Sequence, residues 1–169
     1  MSDDVSVELI TEDHRPTVER LWQLYMHDLS EYRSFLPDAD GLYKWGRLPL
    51  YFGESDRCGY LIRRDGELAG FVLVRGLDAD ARVVGEFFVV RAVRRHQVGR
   101  RTMHRLFDLH PGPWEIPFQE NNVGAATFWR AVATETAGSS WTEERRPIPD
   151  KPALAPDTWI LLDSLAEHR

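Results

Sequence analysis

One stretch, Val83 to Phe107, limits what this chain can fold into more than any other. Its first part, Val83-Val84-Gly85-Glu86-Phe87-Phe88-Val89-Val90, is a run of β-branched and aromatic residues long enough for one buried strand. The period then changes, and Val98, Thr102, Met103, Leu106, Phe107 and Leu109 fall on one helix face. Between the two lies a turn carrying Arg94, Arg95, His96, Gln97, Gly99, Arg100 and Arg101. A strand that enters a helix through such a turn leaves the first helical N–H groups without intrahelical partners and directs the positive helix end at one spot. That spot suits a diphosphate. The same arginines also suit an ordinary solvated turn or, together with Arg91 and Arg105, a nucleic-acid patch. Against nucleic acid stand the net charge of −6 and the lack of aromatic residues among the arginines.

At 169 residues with 43% hydrophobic content, the chain is read as a single domain spanning 1–169 with a packed core. Cys58 is the one cysteine and allows no intrachain disulfide; it reads as a small core residue. No apolar run reaches membrane-spanning length, and the acidic N-terminus lacks a signal-peptide pattern. A cytoplasmic location with no membrane partner is therefore expected, and no metal site.

Taken in order, Val5 to Ile10 alternates as a short strand, and Thr11 or Asp13 can cap the helix after it. From Pro16 to about Tyr32, the residues Val18, Leu21, Trp22, Leu24, Tyr25 and Leu29 keep helical spacing. Asp28 and Tyr32 share a face with Tyr25, one turn apart. Phe35 to Phe52 reads as an aromatic-rich loop, with a short helix near Gly41–Arg47, serving either as a lid over a ligand or as a hydrophobic plug. Two strands flank Asp65-Gly66, a hairpin turn, and a second turn at Asp78-Ala79-Asp80 leads into the strand that ends near Val90. The helix after the basic turn stops at His110-Pro111-Gly112-Pro113. Trp114–Phe118 is a strand that Pro117 leaves unpaired on one side. A helix containing Ala125, Ala126, Phe128, Trp129 and Val132 comes next. Two paired strands, at Ser140–Arg146 and Thr158–Leu162, flank a proline-rich linker.

This order, β-α-(α)-β-β-β-α-β-α-β-β, resembles the GNAT superfamily of acyl-CoA-dependent N-acyltransferases. The expected fold class is α+β, a central, mostly antiparallel mixed sheet flanked by helices. The family's turn, Q/R-x-x-G-x-G/A, is met by Arg94 and Gly99, with Gln97 where the first glycine stands; its N-x-x-A-x-x-F-Y motif is met by Asn122, Ala125, Phe128 and Trp129. If Gln97 takes a left-handed backbone, the departure costs about 1–2 kcal/mol; an ordinary conformation would cost nothing.

The resemblance implies that acetyl-CoA is the co-substrate. Backbone groups of Phe88, Val89 and Val90 would pair with the pantetheine arm, and the turn from Arg95 through His96, Gln97, Val98, Gly99 and Arg100 to Arg101 would hold the diphosphate. Arg94, Arg95, Arg100 or Arg101 would reach the 3′-phosphate, Asn122 the pantetheine, and Phe128 and Trp129 would pack beside it. Glu86, the ionisable residue inside the strand, is the candidate base, and the Val89 N–H the donor to the thioester oxygen. Trp129 replaces the usual tyrosine acid, leaving Tyr25, Tyr32 or His27 to protonate the thiolate, or an unassisted departure.

The acceptor cleft would be lined by Tyr25, Asp28, Tyr32, Tyr43 and Trp45, and Asp28, Glu31, Asp38 and Asp40 would make it acidic, favouring a cationic, antibiotic-like small molecule or a peptide amine. A hydrophobic acceptor framed by Tyr25, Tyr43, Trp45 and Tyr51 is the alternative. The function expected is N-acetyl transfer from acetyl-CoA to a primary amine. A non-catalytic acyl-CoA-binding module and a protein N-acetyltransferase are kept beside it. A monomer and a homodimer both remain open.

Overall fold

A computed structural model describes residues 3–166. Seven strands, β1 (Val5–Leu9), β2 (Arg57–Arg64), β3 (Glu67–Arg75), β4 (Arg82–Val89), β5 (Pro113–Phe118), β6 (Thr142–Arg146) and β7 (Asp157–Asp163), form one sheet in the order β1-β2-β3-β4-β5-β7-β6. Only β4 and β5 run parallel; every other neighbouring pair is antiparallel. Three helices, α1 (Arg15–Arg33), α2 (Val98–Leu109) and α3 (Val123–Ala137), flank it. This is the expected α+β architecture. No helix among the described residues is long and apolar enough to cross a membrane.

Alternation along the strands divides the core between the two faces of the sheet. On one face Val18, Leu21 and Trp22 of α1 pack with Leu61, Phe71, Leu73 and Phe88. On the other, Val98, Met103 and Leu106 of α2 and Trp129, Val132 and Ala133 of α3 pack with Ile62, Val72, Val84, Val89, Ile116 and Ile160. The Asp65-Gly66 turn has φ of 50° and 85°, the two positive values that a tight hairpin compatible with strand twist demands.

The aromatic loop differs from expectation. The short helix sits at Leu48–Phe52 and not at Gly41–Arg47. Pro49 opens it, and Leu48 and Tyr51 are pressed into the α1-side core. The loop thus serves as the hydrophobic plug at this end, because Tyr51 and Leu48 bury more effectively than any residue between Gly41 and Arg47.

β5 pairs with β7 along its whole length but with β4 only at Arg82↔Trp114 and Val83↔Glu115. Beyond that point the two parallel strands part. Pro117, with no N–H to extend a ladder, lies in the part of β5 that has left β4. The result is a wedge in the middle of the sheet, open along the C-terminal half of β4.

Candidate active site

Backbone parity decides what faces the wedge. The Val90 N–H bonds the Ala69 carbonyl of β3 at 2.8 Å. Phe88 and Val90 thus direct their N–H groups to β3, and those of Phe87 and Val89 point away from it, toward the opening. The Val89 carbonyl confirms the direction by accepting Arg94 Nε at 2.7 Å from the wedge side.

A bulge shapes the same strand. Leu73 pairs with Glu86 and Val74 with Val84, so Gly85 is an extra residue in β4. A Cβ on Gly85 would lie 2.0 Å from the Tyr51 hydroxyl oxygen, which fixes glycine at this place. Beyond the bulge, Glu86 and Phe88 face α1, and Phe87 and Val89 face α2 and α3.

Glu86 is partly buried and accepts a hydrogen bond from the Tyr25 hydroxyl of α1. Burial raises its pKa to about 7, against the opposing pull of that hydrogen bond and of the Arg75 and Arg47 guanidiniums. Burial, followed by the nearby Glu86 charge, drives the Tyr25 pKa well upward, so Tyr25 stays a neutral donor. Its ring is held edge-on to Trp22 and Phe71, with centroids 5.5 and 5.6 Å away. Carboxyl and phenol thus form one packed unit joining α1 to β4.

Past β4 the chain makes a 3-10 turn at Arg91–Val93 and enters α2 through Gln97, whose φ of 58° and ψ of 13° are left-handed. Of the two conformations open to Gln97, the chain takes the strained one. The Gln97 side chain does not cap α2, so the N–H groups of Val98, Gly99 and Arg100 at its first turn donate to no cap. Gly99 lets α3 approach: a Cβ there would stand 3.0 Å from the Phe128 ring. Phe128 stacks on Phe87 with centroids 5.6 Å apart, and Trp129 meets Phe87 edge-on at 5.1 Å, closing the floor of the wedge.

The arginines of the turn divide by partner. Arg94 and Arg91 both bind Asp28 of α1. Arg100 pairs with Glu135 at 3.0 Å, and Arg101 donates to the Asp3 carbonyl. Arg95 and His96 are exposed, and Arg95 has no ion pair among the described residues. Asn122 caps α3, its Oδ1 accepting the Ala125 N–H at 3.1 Å. Among the described residues no cluster of His, Cys, Asp and Glu is placed to hold a metal ion.

The expected acceptor residues do not form one wall. Tyr25 sits on Glu86, and Asp28 is held by two arginines. Tyr43 lines a separate cleft of about 620 Å³ with His27, Glu31, Phe35 and Arg91, whereas Tyr32 and Trp45 do not line it. Asp38 accepts the Asp40 and Leu42 N–H groups of its own turn.

The profile of the Acetyltransferase (GNAT) family matches residues 18–132, more than half of the chain. The chain belongs to the GNAT acetyltransferase family. Several solved GNAT-type structures share the fold across nearly the whole length. The ribosomal-protein-S18-alanine N-acetyltransferase of Escherichia coli superposes with a TM-score of 0.64 at 12% identity, covering 97% of this chain and 96% of its own. An acetyltransferase from Thermus thermophilus gives 0.68 at 14% identity, with 96% and 99% covered. A probable GNAT acetyltransferase from Chromobacterium violaceum gives 0.66 at 19% identity, with 97% and 85% covered. No curated protein matches the sequence significantly.

Gly85 and Arg75 lie near Glu86 and are not contained in the GNAT motifs, whereas Tyr51, expected to frame an acceptor, packs against the Gly85 bulge. A glycine inside an otherwise β-branched strand is the signal that marks Gly85 as a bulge. Arg75 carries no local signal, since its neighbours come from other strands.

Proposed function

We propose that the protein transfers an acetyl group from acetyl-CoA to the primary amine of a small molecule. The observation that carries this reading is a conjunction. The N–H of Val89 on the open edge of β4, the uncapped start of α2 and a carboxyl titrating near neutrality lie on one continuous stretch of chain.

The residues present fit acetyl-CoA. The N–H groups of Val98, Gly99 and Arg100 would receive the diphosphate, and Arg95 would add charge from the turn. The edge of β4 would receive the pantetheine arm as an added strand through Phe87 and Val89, and not through Phe88 and Val90 as expected, because the N–H groups of those two face β3. Acetyl-CoA, once bound, supplies an acyl group activated as a thioester.

Val89 then offers its N–H to the acyl oxygen, a fixed donor where negative charge grows. Glu86, near its midpoint at neutral pH, takes the proton that the attacking nitrogen must lose, directly or through one water. As the C–N bond forms the C–S bond breaks, and the electron pair leaves with sulfur. Tyr25 holds the Glu86 carboxylate in place throughout. Trp129 donates no proton at neutral pH, so the thiolate departs without help from this position.

One observation favours a second reading. With an indole packed between aromatic rings where the family has an acid, the fold could bind acyl-CoA without turnover. Purified protein with acetyl-CoA and a panel of amines, followed by free thiol release and by calorimetry with coenzyme A, separates the two. Thiol release that depends on an amine supports the transferase. Tight binding without release on any amine supports the binding module.

A further inference from the structure

The face of the sheet that carries Glu86 also carries a guanidinium with no ion-pair partner among the described residues. Phe71, Leu73 and Arg75 alternate on β3, and the first two lie in the α1-side core, so Arg75 projects from that same face. Leu73 is the cross-strand partner of Glu86, placing Arg75 one side-chain step further along. The two Cα atoms are on the order of 8 Å apart, from a two-residue step and one inter-strand spacing.

Most other arginines around the sheet have carboxylates, Arg82 of β4 being an exception among the described residues. Arg57 binds Glu54 at 2.8 Å, Arg33 binds Asp157 at 2.5 Å, and Arg146 binds Glu115 at 2.8 Å. Arg75 has no ion pair or side-chain hydrogen bond among the described residues; its contact is the Trp159 ring, 5.9 Å from the guanidinium carbon. It stands directly opposite Arg57 across β2 and β3. Like charges in that position repel. Arg57 itself carries a buried Nη1 with no hydrogen-bond partner among the described residues. Arg47, exposed at the start of the Leu48–Phe52 turn, also has no ion pair among the described residues, and its field and that of Arg75 both reach Glu86. Meanwhile two carboxylates expected to attract a cation are engaged elsewhere, Asp28 by Arg91 and Arg94 and Asp38 by its own turn.

We propose that the acceptor is a short amine that also bears an anionic group, and that Arg75 receives the anion while the amine meets Glu86. This rests on the transferase reading for the reaction, but the anion site itself does not. Repulsion between Arg57 and Arg75 is relieved when a carboxylate or phosphate sits between them, and the Trp159 ring, which also carries the Arg146 guanidinium at 4.4 Å, borders the carbon chain.

The test uses glycine, β-alanine, γ-aminobutyrate and phosphoethanolamine beside uncharged counterparts (glycinamide, β-alaninamide, ethanolamine) and the dication putrescine. Binding to the protein–coenzyme A complex is read by calorimetry, and turnover with acetyl-CoA by free thiol. At least one anionic amine is expected to exceed its uncharged counterpart by roughly tenfold or more in kcat/KM. Arg75→Met brings that ratio close to one, with the loss falling on KM, and Arg75→Lys restores part of it. Unaltered coenzyme A affinity shows that the variants are folded.

Equal or better use of uncharged amines or putrescine overturns the proposal, as does a ratio that survives Arg75→Met, or no binding of any anionic amine. Arg75-dependent binding without thiol release keeps the anion site and removes the transferase. Release with uncharged or cationic amines alone does the reverse.

Discussion

The Tyr25 hydroxyl donates to the Glu86 carboxylate, tying the middle of α1 to the strand that borders the wedge. The pair sets the charge state of the site. Burial pushes the Glu86 pKa up to about 7, and the phenol restrains it from rising further.

Replacing Tyr25 by Phe removes a donor that favours the ionised carboxylate. A hydrogen bond to a charged group contributes about 1.5–3 kcal/mol, so the Glu86 pKa should rise by about one unit or more. The acid limb of the kcat/KM profile against pH should move up by that amount. An acid limb that stays in place would show that Glu86 does not govern it.

The raised pKa also destabilises the fold. Glu86 binds its proton more tightly when folded, so stability declines as pH rises from about 4.5 to about 7 and is level above that. The full cost is about 3 kcal/mol at one pH unit per 1.4 kcal/mol. Glu86→Gln should therefore raise the urea midpoint at about pH 8 and leave it nearly unchanged at about pH 4, while abolishing turnover. Equal effects at both pH values would contradict the assignment.

Gln97 holds a left-handed backbone that glycine would adopt without strain. Gln97→Gly should stabilise the protein by up to about 1 kcal/mol, the steric relief being partly offset by greater freedom of the unfolded chain. A thermal midpoint higher by about 1–4 °C is the expected readout. A lower midpoint would mean that the Gln97 side chain contributes contacts exceeding the strain.

Gly85→Ala would drive a methyl into the Tyr51 hydroxyl, whose ring is fixed in the core. A loss of about 1–3 kcal/mol and reduced turnover through displaced Glu86 are expected. Adding Tyr51→Phe removes the oxygen at 2.0 Å and leaves the nearest ring carbon at 3.2 Å. The double variant should recover about half or more of the loss in a denaturation cycle, and strict additivity would place the clash elsewhere.

The sequence revealed those parts of the molecule whose causes are local. Alternation in β2, β3 and β4, the Asp65-Gly66 hairpin and the stop at Pro111 needed only neighbours along the chain. The basic turn and the Asn122 motif led to the family, and Glu86 stood out as a carboxyl within an apolar strand. What escaped is set by partners distant in sequence. Asp28 reads as an open acidic residue until Arg91 and Arg94, more than sixty residues on, fold against it. The Leu48–Phe52 turn forms where Tyr51 finds the bulge at Gly85, and no periodicity announces that meeting. Arg75 looks like any strand-end arginine until the missing carboxylate becomes visible across three strands.

The central claim is that the first turn of α2 and the open edge of β4 together hold acetyl-CoA beside Glu86. A crystal structure of the protein soaked with coenzyme A tests it most directly. The account predicts the diphosphate on the Val98, Gly99 and Arg100 N–H groups, and the pantetheine arm along Phe87–Val89 with its sulfur near Glu86. Coenzyme A bound elsewhere, with nothing added along β4, would contradict it.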